Sequence, residues 1–312
     1  MDVTSVGDIN VDVLTSAIKE YPGRDEQEIV DGIYVSTGGC SANFAKAAAL
    51  LGMDTRFIGK LGNDFFGGFV KKNLSAIPNL DMRFVKGGRT GATIAVAFKD
   101  FTRSFLTFPG ANSQLCMKDI DLGLIRGRYL HVASFFLQGL RKDTKKLLDY
   151  AHERGMTVSF DTGFDPRGWS RADVSLVRKT LADVDIFFPN LAEARAITGL
   201  VDLDELCDSL MDMGPGVVAL KMGKEGSYVC ACRNRIKFPA YKVKVVDTTG
   251  AGDVFDAAFV YGHSKGWNMR DIGRFAGAAA ALSTMDYGSL GYPSFNETIK
   301  LSEQRNISKG TK

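Results

Sequence analysis

The sequence is short of the residues on which several kinds of protein depend. It has three histidines, His131, His152 and His263, far apart and without an HExxH pair. A histidine-built metal centre is therefore not expected. The five cysteines, Cys40, Cys116, Cys207, Cys230 and Cys232, are odd in number and lack framework spacing. That suggests free thiols in a reducing compartment. Cys230 and Cys232 sit in an apolar run and read as strand packing. No apolar run approaches the roughly 20 residues that span a bilayer. Met1-Asp2-Val3-Thr4 lacks the basic start and apolar stretch of a signal peptide. A cytoplasmic protein with no membrane partner is expected. Charge of one sign is also lacking: 39 Lys+Arg face 36 Asp+Glu, a net +3. A nucleic-acid partner would call for a concentrated basic footprint, so none is expected, whereas a small anionic ligand stays open. The two commonest nucleotide fingerprints are missing too. There is no GxxxxGK[ST], and Gly250-Ala251-Gly252-Asp253-Val254-Phe255 has Phe at the third glycine of GxGxxG. This speaks against a dinucleotide-dependent oxidoreductase.

What the chain does have is glycine: 34 in 312 residues, against 8 prolines, above the usual ~7%. With 45% apolar and 24% charged residues the chain folds rather than staying disordered. Such glycines mark tight turns and places where backbone approaches a ligand. The length suits one large α/β domain with insertions, or two domains.

Residues 3–14 and 29–36 read as strands, 43–51 as a helix stopped by Gly52, 56–59 as a strand and 64–77 as a helix. Residues 82–85, 92–98 and 103–108 carry hairpin signals with few helix formers between them. From 113 onward strands alternate with helices: strands at 129–133, 156–160, 185–188 and 217–221, helices at 140–154, 172–181, 192–198 and 203–213. A hairpin at 227–231 and 235–239 and helices at 250–264, 271–285 and 295–304 follow. The polar tail from Asn306 is expected to fray. This rhythm predicts a doubly wound α/β fold, a mostly parallel sheet between helices, with a small inserted β segment. Ligands then sit beyond the carboxyl ends of the strands.

Five segments stand there. Val246-Asp247-Thr248-Thr249-Gly250-Ala251-Gly252-Asp253 runs from a strand through small residues into a helix, leaving N–H groups free as an anion hole. Asp253 in that turn could take a proton from a hydroxyl beside the hole; alternatively Thr249 caps the helix and Asp253 complements its dipole. Thr37-Gly38-Gly39-Cys40-Ser41-Ala42-Asn43 offers a close backbone approach and an amide for a sugar hydroxyl, or is a plain turn. In Gly7-Asp8-Ile9-Asn10-Val11-Asp12, Asn10 and Asp12 share a face, so Asp12 could grip a vicinal diol or merely face solvent. Asn190 and Glu193, one turn apart, could steady a hydrated Mg²⁺ or form a capping box. Lys221-Met222-Gly223-Lys224-Glu225-Gly226 could admit a flat ring or phosphates, or be a hairpin connection.

Together and in this order, the Gly-Gly…Asn, Asn-x-x-Glu and Asp-Thr-Thr-Gly-Ala-Gly-Asp segments resemble the ribokinase family of carbohydrate kinases (the phosphofructokinase-B type), from Gly7 to about Pro293. The resemblance implies a ribokinase-like fold, with a core of residues 1–13, 36–80 and 113–312 and a β lid of 14–35 and 81–112, often a dimer contact. It implies ATP and Mg²⁺ as cofactors, with K⁺ as an option. Asp253 would be the base, and Gly250, Ala251, Gly252 and Asp253 the anion hole. Asn10, Asp12, Gly38, Gly39 and Asn43 would hold the substrate. Asn190, Lys221, Gly223, Gly226 and Thr248 would line the nucleotide site, with Glu193 and Asn190 organising the metal through water.

Two departures point away from free ribose. Cys40 stands where ribokinases carry Lys, and Ala133-Ser134-Phe135-Phe136 stands where they place a Glu. Phe135 and Phe136 could face a nucleoside base. Against this, Phe160-Asp161 with Asp165-Pro166-Arg167-Gly168-Trp169 resembles fructokinases and 2-keto-3-deoxygluconate kinases. If Arg103 or Arg167 enters the site, an acidic sugar fits. The expectation is an ATP-dependent kinase acting on a primary hydroxyl of a small sugar or nucleoside, of ribose type. The alternatives are a fructose or 2-keto-3-deoxygluconate kinase, and a non-catalytic sugar- or nucleotide-binding regulator. A homodimer through the lid is expected.

Overall fold

The computed structural model describes residues 1–100, 102–232 and 234–307, excluding the side chains of 305–307. Among the described residues nine strands form one large sheet. Its centre is β1 (Val3–Gly7), buried along its whole length as parallel strands covered on both faces are. On one side of β1 lie β4 (Thr55–Leu61) and β5 (Leu80–Lys86). On the other lie β8 (Tyr129–Val132), β9 (Thr157–Phe160), β10 (Ile186–Phe187) and β11 (Val217–Lys221), then the antiparallel pair β12 (Ser227–Ala231) and β13 (Asn234–Phe238). The order of strands reverses between β1 and β8, the place where such sheets bind ligands.

A second sheet of four strands runs β3 (Ile33–Gly38), β2 (Asn10–Thr15), β6 (Gly91–Ala97), β7 (Arg103–Phe108). β2 pairs antiparallel with β3 but parallel with β6. Two expectations are corrected here. The run 3–14 is not one strand: it breaks at Asp8-Ile9 and passes from the large sheet to the small one. The break is paid for by Asn112. Its Oδ1 accepts from Ile9 N (3.0 Å), and its Nδ2 donates to Ile9 O (3.1 Å) and to Asn10 Oδ1 (2.7 Å), so the backbone groups leaving the ladder stay satisfied. The run 82–85 is not part of the small sheet either. It is β5, parallel to β4, and its Leu80, Met82 and Phe84 face packs on the cluster of Phe57, Val70 and Leu74. Strand pairing therefore draws the small sheet from 10–38 and 91–108 rather than 14–35 and 81–112.

Helices cover both faces. Helix α1 (Cys40–Leu50) starts at Gly39, and the Asp8 carboxylate accepts from Ser41 N (3.0 Å) and Cys40 N (3.2 Å) at its first turn. Helix α5 (Leu191–Thr198) follows β10, and α7 (Ala251–Ser264) follows the 240–250 connection. Helix α9 (Phe295–Ile307) continues past Asn306, and residues 308–312 of the tail lie outside the described residues.

Candidate active site

Helices α1 and α7 place their N-termini together at the carboxyl edge of the large sheet. Gly250 caps α7 at φ 78°, a left-handed turn that an L side chain resists. The Oη of Tyr292 also lies where a Gly250 side chain would stand. The first N–H groups of a helix have no intrahelical acceptor. That of Ala251 turns back to Thr248 O at 3.3 Å, so those of Gly252 and Asp253 are left as the donors of this end. The helix dipole adds positive potential there.

Asp253, third in α7, is almost fully buried. Its Oδ2 accepts from Asn43 Nδ2 at 2.8 Å. Burial pushes its carboxyl up to about 8; the Asp161 charge adds to this, while the Asn43 bond and Lys221 oppose it. A group that accepts a proton works best with a pKa raised towards the working pH, and burial moves this carboxyl in that direction.

Beneath it lies a cluster in which the sequence reading missed Asp256. Lys221 ends β11, and its Nζ donates to Asp161 Oδ2 (2.6 Å) and to Asp256 Oδ2 (3.2 Å). Burial alone would lower the ammonium, but Asp161, Asp256 and Glu193 outweigh it and hold Lys221 charged. Asp256 is i+3 from Asp253, a helical spacing that would have found it. Asn190 bridges Lys221 across adjacent strand ends. It forms the capping box with Glu193: Asn190 N donates to Glu193 Oε2 (2.8 Å) and Glu193 N to Asn190 Oδ1 (2.9 Å). Burial, then Asp161, pushes the Glu193 carboxyl up to about 8. Among the described residues no three His, Cys, Asp or Glu side chains converge on a metal position. Both Glu193 carboxylate oxygens already accept from Asn190, Oε2 from its N and Oε1 from its Nδ2 at 2.6 Å, so this pair would meet a hydrated Mg²⁺, which keeps several waters and leans on substrate phosphates, only through water.

Asn10 and Asp12 share the inner face of the small sheet. Asp12 is buried, and burial, Asp8 and Asp247 together push its carboxyl up to about 7. It fits because Gly38, diagonally across on β3, has no side chain where the Asp12 carboxylate lies. Gly39 passes the backbone of Asp8 and Ile9 at a distance that excludes a Cβ. Tyr292 was missed by the sequence reading. Its hydroxyl is buried beside Asp253, Asp12 and Cys40 and finds no hydrogen-bond partner among the described residues.

The remaining expected residues have other neighbours. Phe135 is buried in the core, edge-on to Phe136 and Phe160, and Phe136 packs on Trp169; these rings serve packing. Arg167 is half-exposed and held in its own loop, where Nη2 donates to Asp173 Oδ1 at 2.8 Å. Nη1 of Arg103 donates to Asp247 Oδ1 and to Thr249 Oγ1, both at 2.7 Å. Gly226 turns against the backbone of Phe238 and Ala240, whereas Gly223 faces open space. Thr248 is exposed beside the small sheet.

A sheet with its switch point at β1, a glycine-capped helix end and a buried carboxyl beside it define a phosphotransferase of the ribokinase-like fold. Residues 1–293 match the pfkB family of carbohydrate kinases, and the chain belongs to that family. It is similar to a nucleoside kinase of Methanothermobacter thermautotrophicus, 28% identical over 303 residues covering 96% of this chain and 94% of that protein. It is 30% identical over 309 residues to an ATP-dependent ribose-1-phosphate kinase of Halopiger xanaduensis, covering 97% and 98%. Among solved structures, an Escherichia coli protein described as a ribokinase II, in complex with ATP and Mg²⁺, superposes with a TM-score of 0.86 at 23% identity, covering 97% of this chain and 99% of that one.

Proposed function

We propose that this sugar or nucleoside kinase transfers the γ-phosphoryl group of ATP to the primary hydroxyl of a ribose-type acceptor, a nucleoside or ribose. The observation that carries the reading is Asp253, a buried carboxyl in the first turn of α7, beside the free N–H groups of that helix end and bonded by Asn43. Asp253 takes the proton from the acceptor hydroxyl. The freed oxygen bonds to the γ-phosphorus as the bond to the β–γ bridging oxygen breaks, and ADP leaves. The N–H groups of Gly252 and Asp253, with Gly250 and Ala251 shaping the turn, meet the charge on the transferring group. Asn10, Asp12, Gly38 and Gly39 seat the acceptor, Asn43 sets the base, and Lys221, Gly223, Gly226 and Thr248 line the nucleotide side. Glu193 and Asn190 would hold a bound Mg²⁺ through water, and the ion would neutralise charge on the phosphates.

The ribose-type acceptor is favoured over an acidic sugar such as 2-keto-3-deoxygluconate because Arg103 and Arg167 are already engaged with Asp247 and Asp173. The nucleoside and ribose-1-phosphate kinases among the relatives support the same leaning. The complete base and helix end argue against a non-catalytic regulator. No helix among the described residues is long and apolar enough to cross a membrane; a cytoplasmic site of action and a homodimer through the small sheet belong to the same proposal. The test is a coupled ADP-release screen with ribose, nucleosides, fructose and 2-keto-3-deoxygluconate, repeated with choline replacing K⁺. A ribose-type acceptor should give the highest kcat/KM; fructose or the acid outranking all of them would overturn the assignment.

A further inference from the structure

Arg103 opens β7, the edge strand of the small sheet, and reaches across 144 positions of sequence to Asp247. Asp247 is a hub. Its Oδ1 also accepts from Thr249 N (3.1 Å) and Thr249 Oγ1 (2.9 Å), and its Oδ2 accepts from Gly288 N (2.8 Å). Thr249 immediately precedes Gly250, the cap of α7. The same side chain therefore bonds the small sheet, the 284–292 loop and the turn that aims the anion-hole donors. A second contact joins the same partners: Tyr34 of β3 stacks on Tyr287, ring centroids 3.7 Å apart and 12° from parallel. Both Arg103 and Asp247 are largely shielded, with 14% and 5% of their side chains exposed. An Asp247 stripped of Arg103 would be a buried carboxylate without its counter-charge, which is strongly destabilising locally.

We infer that Arg103 is a positioning residue for phosphoryl transfer: it fixes the Asp247–Thr249 turn to the small sheet, so that the seat of the acceptor and the anion hole hold one mutual geometry. Asp12 and Asn10 lie on that sheet, and Gly252 and Asp253 follow that turn. Transfer demands in-line placement of acceptor and phosphoryl group, and misplacement by about 1 Å can cost on the order of 10²-fold. Arg103 would act through Asp247 and Thr249, the two side chains it bonds. The inference rests on the anion-hole reading given above.

The experiment compares wild type, Arg103→Ala and Arg103→Lys in the ADP-release assay with the best acceptor, with and without millimolar guanidinium chloride. Arg103→Ala should lose ten- to a hundredfold in kcat while KM for ATP changes less than threefold. Guanidinium should restore part of that loss, which a loss of general stability would not allow. Arg103→Lys, which keeps the charge, should lie between the two. Should Arg103→Ala not fold, Arg103→Lys and Thr249→Val carry the same comparison, and kcat within twofold of wild type in both overturns the inference. So does an active wild type with Arg103→Ala at full kcat, or a loss untouched by guanidinium. A wild type that releases no ADP with any acceptor refutes the kinase assignment instead.

Discussion

Asn43 Nδ2 donates to Asp253 Oδ2 at 2.8 Å, joining the first turn of α1 to the first turn of α7 across 210 residues of sequence. The sequence reading gave Asn43 to the sugar. In the structure its amide bonds the carboxyl proposed as the base, and it favours the ionised form of a carboxyl that burial disfavours.

Removing that donor should push the Asp253 carboxyl higher still. A hydrogen bond to a charged group is worth about 1.5–3 kcal/mol, and 1.36 kcal/mol is one pKa unit. Asn43→Ala should therefore move the acid limb of the kcat/KM profile up by about one to two units. An unshifted limb would show that the bond does not set the base.

The acids of the site make stability fall with rising pH. Asp8, Asp12, Asp253 and Glu193 are pushed up to about 6, 7, 8 and 8, above the ordinary 3.8 of Asp and 4.5 of Glu, chiefly through burial. Between those ordinary values and pH 8 the folded chain holds more protons than the unfolded one, so stability is greatest at the low end of that window and is lost as pH rises through it. Asp253→Asn should melt above wild type at pH 8 and by a clearly smaller margin at pH 5. Thermal melts at the two pH values decide this.

Lys221 answers two buried carboxylates, Asp161 and Asp256. Removing one member of such a buried network costs about 3–5 kcal/mol. Lys221→Met should lose that much in urea unfolding, and Lys221→Met with Asp161→Asn and Asp256→Asn should recover part of it. No recovery in the triple variant would mean that lost packing, not lost charge, sets the cost.

The outer face of the small sheet bears a row of apolar side chains in register, Val35, Val13, Ile94 and Leu106, with Ile94 44% and Leu106 62% exposed. A patch of this kind marks an association surface. If two copies meet there, light scattering should show a dimer for the wild type and a monomer for Ile94→Asp with Leu106→Asp; a monomeric wild type would refute it.

Much of this was legible in the sequence because local signals agree with the fold. The glycine turn before α7, the alternation of strands and helices after 113 and the Asn190–Glu193 cap are set by neighbours within a few residues. What was not legible depends on distant partners. The 3–14 run carries one apolar pattern through both sheets, and the break is set by Asn112, about a hundred residues on. The 82–85 alternation reveals a strand but not which sheet accepts it. Phe135 reads as readily as a base platform as it does a core residue until Phe160 is seen against it. Arg103 reads as a substrate ligand until Asp247 is seen beside it.

The central claim is that Asp253 is the general base. Asp253→Asn keeps the shape of the side chain and removes its capacity to take the proton. Such a base contributes typically ~10²–10⁴-fold. Calorimetry and the ADP-release assay on that variant should show ATP and acceptor bound within a few-fold of wild type, with kcat down at least about a hundredfold. Near-normal kcat in Asp253→Asn would contradict the account.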